Sequence, residues 1–519
     1  MSRLTNTIRN TVVGFAAQLI VILLNYINRT IFIYYLGAEY LGLSGLFSNI
    51  LSMLSLAELG IGVAISFSLY KPLEENDIRK TKALMNFYQL AYRIIGIVIL
   101  ILGLCLIPFL DVLIKDKPDI PHFTLIYVLF LSNTVVSYFF TYKRSLLSAD
   151  QKEYLNSVNR TFFAVIQCVG QFFVLMLTKN YLLYLIVVVA CTLGSNVVIS
   201  YQCDKRYPYL RKNTEKLSKD ETKELLKYVM AQLSHKVGGI VVSGTDNILT
   251  TSLVSGGLVI VGLYSNYLLL INTIKSVITM FFTSVTASVG NLNAENDVNK
   301  SKAVFNKMFF LNMCFYGITA SCILNLANDF ICLWIGDKYL LSSGVVVLIV
   351  INYYISGMRQ TCQTYNTTLG LFWNDRFKPW IESAINLISS IILIRYYGFM
   401  GVLLGTLIST VTTSLWVEPY MLYKHGFKQS VWDYFGRYAQ YMICIIACTV
   451  LSALVTRFIQ VDSFVMWTIK AVLVATVSTG IVCVLYRSTE EFKWVERIMS
   501  GVVKKYSKDR RIFDYDNRK

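Results

Sequence analysis

The chain has 519 residues, 55% of them hydrophobic and only 15% charged, yet its formal net charge is +17. A soluble domain is about 25% charged, so this chain lacks the polar surface that water requires, and its apolar residues fall in long runs along the whole length. Three or four soluble domains, which the length alone would suggest, are excluded. Nucleic acid is not needed to explain the charge once that charge is placed on a membrane topology.

A membrane helix needs about 20 mostly apolar residues. That ruler gives fourteen spans, at about 11–35, 44–70, 84–110, 122–147, 157–178, 181–201, 227–254, 257–288, 303–328, 342–370, 378–396, 398–422, 438–458 and 464–486. The first contains Arg29 and no small-residue cleavage site follows it, so it reads as a retained helix and not a signal peptide. Two joints are very short: Lys179–Asn180 between the fifth and sixth spans, and Gly398 between the eleventh and twelfth. Within the twelfth, Gly401-x-x-x-Gly405 predicts close helix packing.

Basic residues concentrate on the cytoplasmic side of a membrane. With the N-terminus inside, 36 of the 48 Lys and Arg fall in inside segments and their flanking turns, six in outside loops and six within spans. This distribution puts both termini in the cytoplasm, where the basic residues also face anionic lipid. The predicted organisation is an N-terminal six-helix half (1–201), a basic connector (202–226), a second six-helix half (227–422), two additional helices (423–486) and a basic tail (487–519). Neither the connector nor the tail is long enough to bury a catalytic core, and no enzymatic activity is expected. Most of the eleven cysteines lie inside spans and read as small packing residues. Cys444 and Cys448 have i,i+4 spacing but no neighbouring His or carboxylate, so no metal site is expected.

Residues 73–86 and 292–306 repeat one another. A shift of 220 brings Glu75, Asn76, Asp77, Lys80, Lys82, Ala83 and Asn86 onto Glu295, Asn296, Asp297, Lys300, Lys302, Ala303 and Asn306. The same shift carries Gly37 onto Gly257 and Gly42 onto Gly262. Each copy joins the second helix of its half to the third. Two six-helix halves of the same orientation are parallel repeats, an architecture that places a transporter's substrate between the halves.

Ionisable residues inside a membrane are costly and mark pathways or water-filled cavities. The first span carries Thr11, Gln18, Asn25 and Arg29 on one face, and the seventh carries Gln232, Lys236, Gly239, Ser243, Asp246 and Thr250 as a continuous stripe. The second span adds several serines and Glu58, near its middle. Arg93, Lys275 and Arg359 lie ten or more residues from a span end, so each faces a cavity or a buried ion pair. Arg29 lies in the outer third of its span, within reach of a snorkelling side chain, and Lys236 lies near an inner end. Lys470 sits six residues from a helix end and is expected to snorkel. Glu58 and Asp246 either pair with these cations or bind a coupling H⁺ or Na⁺. Six intramembrane cations against two central acids suit an anionic substrate, with Arg29, Arg93, Lys236, Lys275 and Arg359 as candidate cavity cations. Arg presents paired donors to phosphate oxygens, and Lys a mobile point charge.

The run from Asn28, N-R-T-I-F-I-Y-Y-L-G-A-E-Y-L-G-L-S-G-L-F-S-N-I-L-S-M-L-S-L-A-E-L-G-I-G, resembles bacterial polysaccharide flippases. Val261-Gly262-Leu263-Tyr264-Ser265-Asn266, after Asp246 in the preceding helix, does so too. These proteins form the polysaccharide-transporter branch of the multidrug/oligosaccharidyl-lipid/polysaccharide exporter superfamily. The resemblance is most specific over 25–90 and 240–310 and weakest after 430. It implies movement of an undecaprenyl-diphosphate-linked oligosaccharide from the inner to the outer leaflet of the cytoplasmic membrane, for capsule, O-antigen or a related polymer. It also implies that cavity Arg and Lys receive the diphosphate, with Arg29 and Asp246 at positions where such family residues fall. A polysaccharide polymerase and other assembly proteins would then be the partners of the step.

Two alternatives make different demands. A multidrug exporter of the same superfamily, with cationic cargo, would favour an acid-rich cavity, against the six-to-two balance. An integral-membrane polymerase would need a sizeable outer loop with carboxylates, and the outside loops here are about a dozen residues at most.

Overall fold

A computed structural model of the chain describes residues 3–55, 68–70, 72–73, 75–110, 120–150, 152–210, 215–223, 225–226, 244–294, 297–369, 371, 377–497 and 500. Among these the fold is helical, with no strand. Eleven helices among the described residues are long and apolar enough to cross a membrane. The chain is an all-α, multi-pass membrane protein.

α1 (Arg3–Leu54) contains 52 residues, but Gly37 interrupts it at φ 84° and ψ −171°. That backbone conformation is open to glycine and strained for other residues. The break separates the first two predicted spans. α2 (Ile78–Cys105) and α3 (Phe123–Ala149) follow, then α4 (Glu153–Thr178) and α5 (Tyr181–Arg206). The two-residue joint before α5 works by local chemistry. Lys179 adopts the left-handed conformation at φ 51°, and the Asn180 side chain accepts from the backbone N–H of Leu182 and Leu183.

The second repeat opens with a helical segment over 244–253, then α6 (Gly257–Ala294) and α7 (Val298–Ile335). α8 (Ser343–Met358) and α9 (Gln360–Thr368) are one span broken at Arg359. α10 (Lys378–Tyr397) turns at Gly398, φ 55°, directly into α11 (Phe399–Thr412). α12 (Ser414–Met421) and a π-helical turn over Leu422–Phe427 lead to α13 (Trp432–Thr456) and α14 (Phe464–Tyr486). The repeat is visible in hydrogen bonds as well as in sequence. Asp77 caps α2 by accepting from Lys80 N at 2.9 Å, and Asp297 caps α7 by accepting from Lys300 N at 3.0 Å.

The chain divides into two compact units. The first holds residues 1–266 and 376–406, the second 267–375 and 407–519. In the first, α1 packs on α4, α3 on α5 and α4 on α5. Phe47 sits edge-on to Phe123, Tyr127 and Phe130, and the Tyr127 hydroxyl donates to Gly103 O. α4 turns Phe162, Val165, Val169 and Phe173 outward, an exposed apolar stripe suited to lipid.

In the second unit α7 is the central helix, flanked by α8, α13 and α14. Phe305 and Phe309 anchor an aromatic core with Tyr365, Tyr423, Phe427 and Tyr434. Ser321, Ser452 and Ser478 join α7, α13 and α14 through their hydroxyls. Cys448 donates to Ser478 O at 3.5 Å. Asn312 donates to Gly357 O and Met358 O, the two carbonyls just before the break at Arg359. The last two helices are thus packed into the second unit rather than appended to it.

Candidate functional site

In the first unit, Gln18 and Arg29 are half-buried on α1 and Asn25 is exposed. Arg29 Nη1 donates to Ser265 Oγ at 3.0 Å, and Ser265 in turn donates to Gly262 O at 2.7 Å. Beside it, Asn28 Nδ2 donates to the Tyr184 hydroxyl. Arg93 is exposed on α2, within electrostatic reach of Tyr142, and hydrogen-bonds to no described residue. Glu58, Gln232, Lys236 and Ser243 lie outside the described residues.

Among the described residues, the hydrogen-bond partners around Asp246 are neutral. Its Oδ2 accepts from Thr406 Oγ1 at 2.8 Å, and Asn386 Nδ2 donates to the same hydroxyl at 3.0 Å. Asp246 Oδ1 and Asn386 Oδ1 are buried without hydrogen-bond partners. The structure therefore brings Asp246 together with two residues that the sequence reading did not single out. The signal for them was the packing motif. A Cβ at Gly401 would lie 2.3 Å from Leu393 O and one at Gly405 2.2 Å from Ser390 Oγ, so α10 and α11 cross in close contact as expected. That approach places Asn386 and Thr406 side by side.

A second close approach joins the two repeats. A Cβ at Gly42 would lie 1.9 Å from Leu258 O, and one at Gly262 2.4 Å from Ala38 O. Under the 220-residue shift Gly42 maps to Gly262 and Ala38 to Leu258, so the two contacts are equivalents of one another about a local two-fold axis. Backbone meets backbone here because neither glycine has a side chain.

In the second unit, Lys275 Nζ is 3.5 Å from Ser356 Oγ and within electrostatic reach of Arg359. Arg359 is held by Glu418 in a two-pronged pair, Nε to Oε2 at 3.0 Å and Nη2 to Oε1 at 2.7 Å, with side-chain exposures of 14% and 2%. Glu418 was outside the count of central acids because it lies close to the inner end of its span. Lys470 was expected to snorkel. It instead pairs with Asp329 of α7 at 2.7 Å, an acid one helix away at the same depth. Of the five described intramembrane cations, two meet a carboxylate, whereas Arg29, Arg93 and Lys275 have none among the described residues.

The family described as polysaccharide biosynthesis protein matches residues 7–287, more than half of the chain. The chain belongs to that family. Among solved structures it is similar to the lipid II flippase MurJ in an inward closed conformation, with 14% identity and a TM-score of 0.64, covering 92% of this chain and 99% of that one. It is similar also to a multidrug resistance MATE family transporter of the MOP superfamily in its inward-facing conformation, with 15% identity, a TM-score of 0.58 and coverage of 80% and 99%. A point mutant of the Vibrio cholerae MATE transporter VcmN gives 12% identity, a TM-score of 0.58 and coverage of 83% and 99%. Comparison with curated proteins gives no match. At these identities the structural likeness shows the fold, which is that of the MurJ and MATE proteins. A multi-pass protein of the polysaccharide biosynthesis family suits the bacterial cytoplasmic membrane.

Proposed function

We propose that the protein is a flippase that carries undecaprenyl-diphosphate-linked oligosaccharide to the outer leaflet by alternating access. The observation that carries this reading is that two half-buried intramembrane cations, Arg29 and Lys275, have no carboxylate partner among the described residues in a chain of this family. An uncompensated cation in a low-dielectric setting is costly, and a diphosphate passing through would supply the missing charge. Arg93 and Lys236 complete the set that receives it, and Arg359, held by Glu418, lies within electrostatic reach of Lys275. The fold of a lipid II flippase supports the same substrate class, a polyprenyl-linked sugar. Both termini face the cytoplasm across fourteen spans, and two six-helix halves rock about the site.

Asp246 is the coupling site for Na⁺ or H⁺. Its surroundings favour this over a structural ion pair: among the described residues its partners are a hydroxyl and an amide, and one carboxylate oxygen has none. Those oxygens, with Thr406 and Asn386, are hard ligands of the type a small cation accepts. The test is flipping of a fluorescent or radiolabelled lipid-linked oligosaccharide in proteoliposomes, with and without an imposed Na⁺ or H⁺ gradient. Outer-leaflet appearance above protein-free liposomes supports the reading, and appearance at the protein-free rate overturns it.

A further inference from the structure

A cleft of about 900 Å³ opens in the second unit where the start of α7, the start of α13 and the residues after α14 meet. It takes in none of the cavity cations or coupling acids named above. Its size falls within the usual range for small-molecule sites, and its lining has a specific chemistry.

One wall is aromatic: half-buried Tyr486 lies over Phe310 and Tyr441, which are themselves buried, and Trp432 stands on the cleft with 76% of its surface exposed. The polar groups are largely committed to one another. Lys302 Nζ is 2.9 Å from Asp433 Oδ2 and also donates to Gln429, and Arg437 Nη1 is 2.7 Å from Glu491 Oε1. Glu490 adds a further negative charge. Two cations against three acids give no cationic excess, so the cleft is not built for phosphate. Lys302 and Arg437, which an anionic ligand would need, are already paired. What remains are the uncharged donors and acceptors of Asn306, Gln440 and Ser488 beside the rings of Trp432 and Tyr486. Sugar rings match that surface, because they present apolar C–H faces and hydroxyls that both donate and accept.

We infer that this cleft binds uncharged sugar residues of the lipid-linked substrate, apart from the site that receives its diphosphate. The inference rests on the flippase reading and deepens it, since it separates sugar recognition from charge recognition. In the proposed topology all three helix ends lie on the cytoplasmic side, where the substrate waits before translocation. The aromatic content of the chain as a whole could not have indicated this, because interfacial aromatic belts are common in membrane proteins.

Gly436 provides a clean perturbation. It lines the cleft, and a Cβ built there meets no atom within 4 Å, so a side chain can start from this position into open space. The experiment is saturation-transfer NMR on the full-length protein in nanodiscs. The probes are glucose, galactose and N-acetylglucosamine, with glycerol phosphate and glycerophosphoethanolamine as headgroup probes. The expected result is transfer to at least one sugar that falls at least fivefold in Gly436→Trp and in Trp432→Ala. The second variant changes an exposed side chain and needs no repacking, so a loss of fold at Gly436 would not decide the outcome. Sugar signals unchanged in both variants, no transfer to any sugar, or loss confined to the headgroup probes would each overturn the inference. Flipping by the wild type in proteoliposomes is read in parallel. Absence of flipping condemns the flippase reading, whereas flipping without sugar binding condemns the cleft alone.

Discussion

Gly42 and Gly262 allow the sharpest perturbation of the proposed cycle. Replacing Gly42 with Ala puts a methyl 1.9 Å from Leu258 O, where ordinary contact begins near 3.4 Å. The two backbones must then part by roughly 1.5 Å to restore van der Waals separation. Overpacking of this kind costs about 1–3 kcal/mol, and the cost falls only on the conformation in which the helices cross. In a two-state cycle that bias shifts the ratio of crossed to parted molecules by about 5–150-fold. Val261, 1% exposed beside the crossing, reports the shift. A Val261→Cys protein on intact cells should react slowly with a membrane-impermeant maleimide, measured above the signal of the parent's own cysteines. Adding Gly42→Ala should accelerate the reaction within that range. Gly262→Ala should act in the same direction, because the two glycines are equivalent, whereas Gly480→Ala should be silent, since nothing lies within 4 Å of its Cβ. Equal labelling in all three backgrounds would refute the view that this crossing opens during transport.

Other perturbations separate charge recognition, coupling and stability. Arg29→Gln and Lys275→Gln should each cut flipping at least tenfold with normal protein levels in the membrane, and normal polymer output from both would sink the diphosphate role. Asp246→Asn keeps an acceptor for the Thr406 hydroxyl and removes the charge, so flipping should no longer respond to an imposed Na⁺ or H⁺ gradient; an intact response would leave Asp246 structural. Glu418→Gln strands the Arg359 charge in a buried setting, a change that costs about 3–5 kcal/mol. Its melting temperature should fall, and Arg359→Met with Glu418→Met should recover most of the loss. A double variant as unstable as Glu418→Gln would show that the pair does more than satisfy itself.

Local signals carried most of the fold. The boundary between the first two spans, the joint at Lys179–Asn180 and the joint at Gly398 were legible because each depends on a few neighbouring residues. The repeat was legible because Asp77 and Asp297 perform the same capping on both copies. The ion pairs were not legible. Glu418 meets Arg359 across 59 positions and Asp329 meets Lys470 across 141, so no spacing rule along the chain could join them. Depth misled as well: Glu418 counts as an end group along its own span, yet it is 1% exposed. Thr406 and Asn386 were hidden for another reason. A single Thr and a single Asn in apolar helices are ordinary, and only the Gly401 and Gly405 crossing gives them a common partner in Asp246.

The ion pairs change what the intramembrane charge can do. Counted along the sequence, six cations facing two acids describe a strongly positive cavity, and such a cavity would hold a diphosphate too tightly to release it. Pairing Arg359 with Glu418 and Lys470 with Asp329 removes much of that excess. Translocation needs binding strong enough to draw the anion in and weak enough to let it leave. Arg29 and Lys275 are the half-buried described cations that fit this requirement, because each hydrogen-bonds only to a serine hydroxyl among the described residues. A neutral hydroxyl yields to a phosphate oxygen at far lower cost than a carboxylate would. In the proposed cycle Arg359 acts differently: Glu418 fixes its position, and its charge raises the cost of leaving Lys275 without an anion.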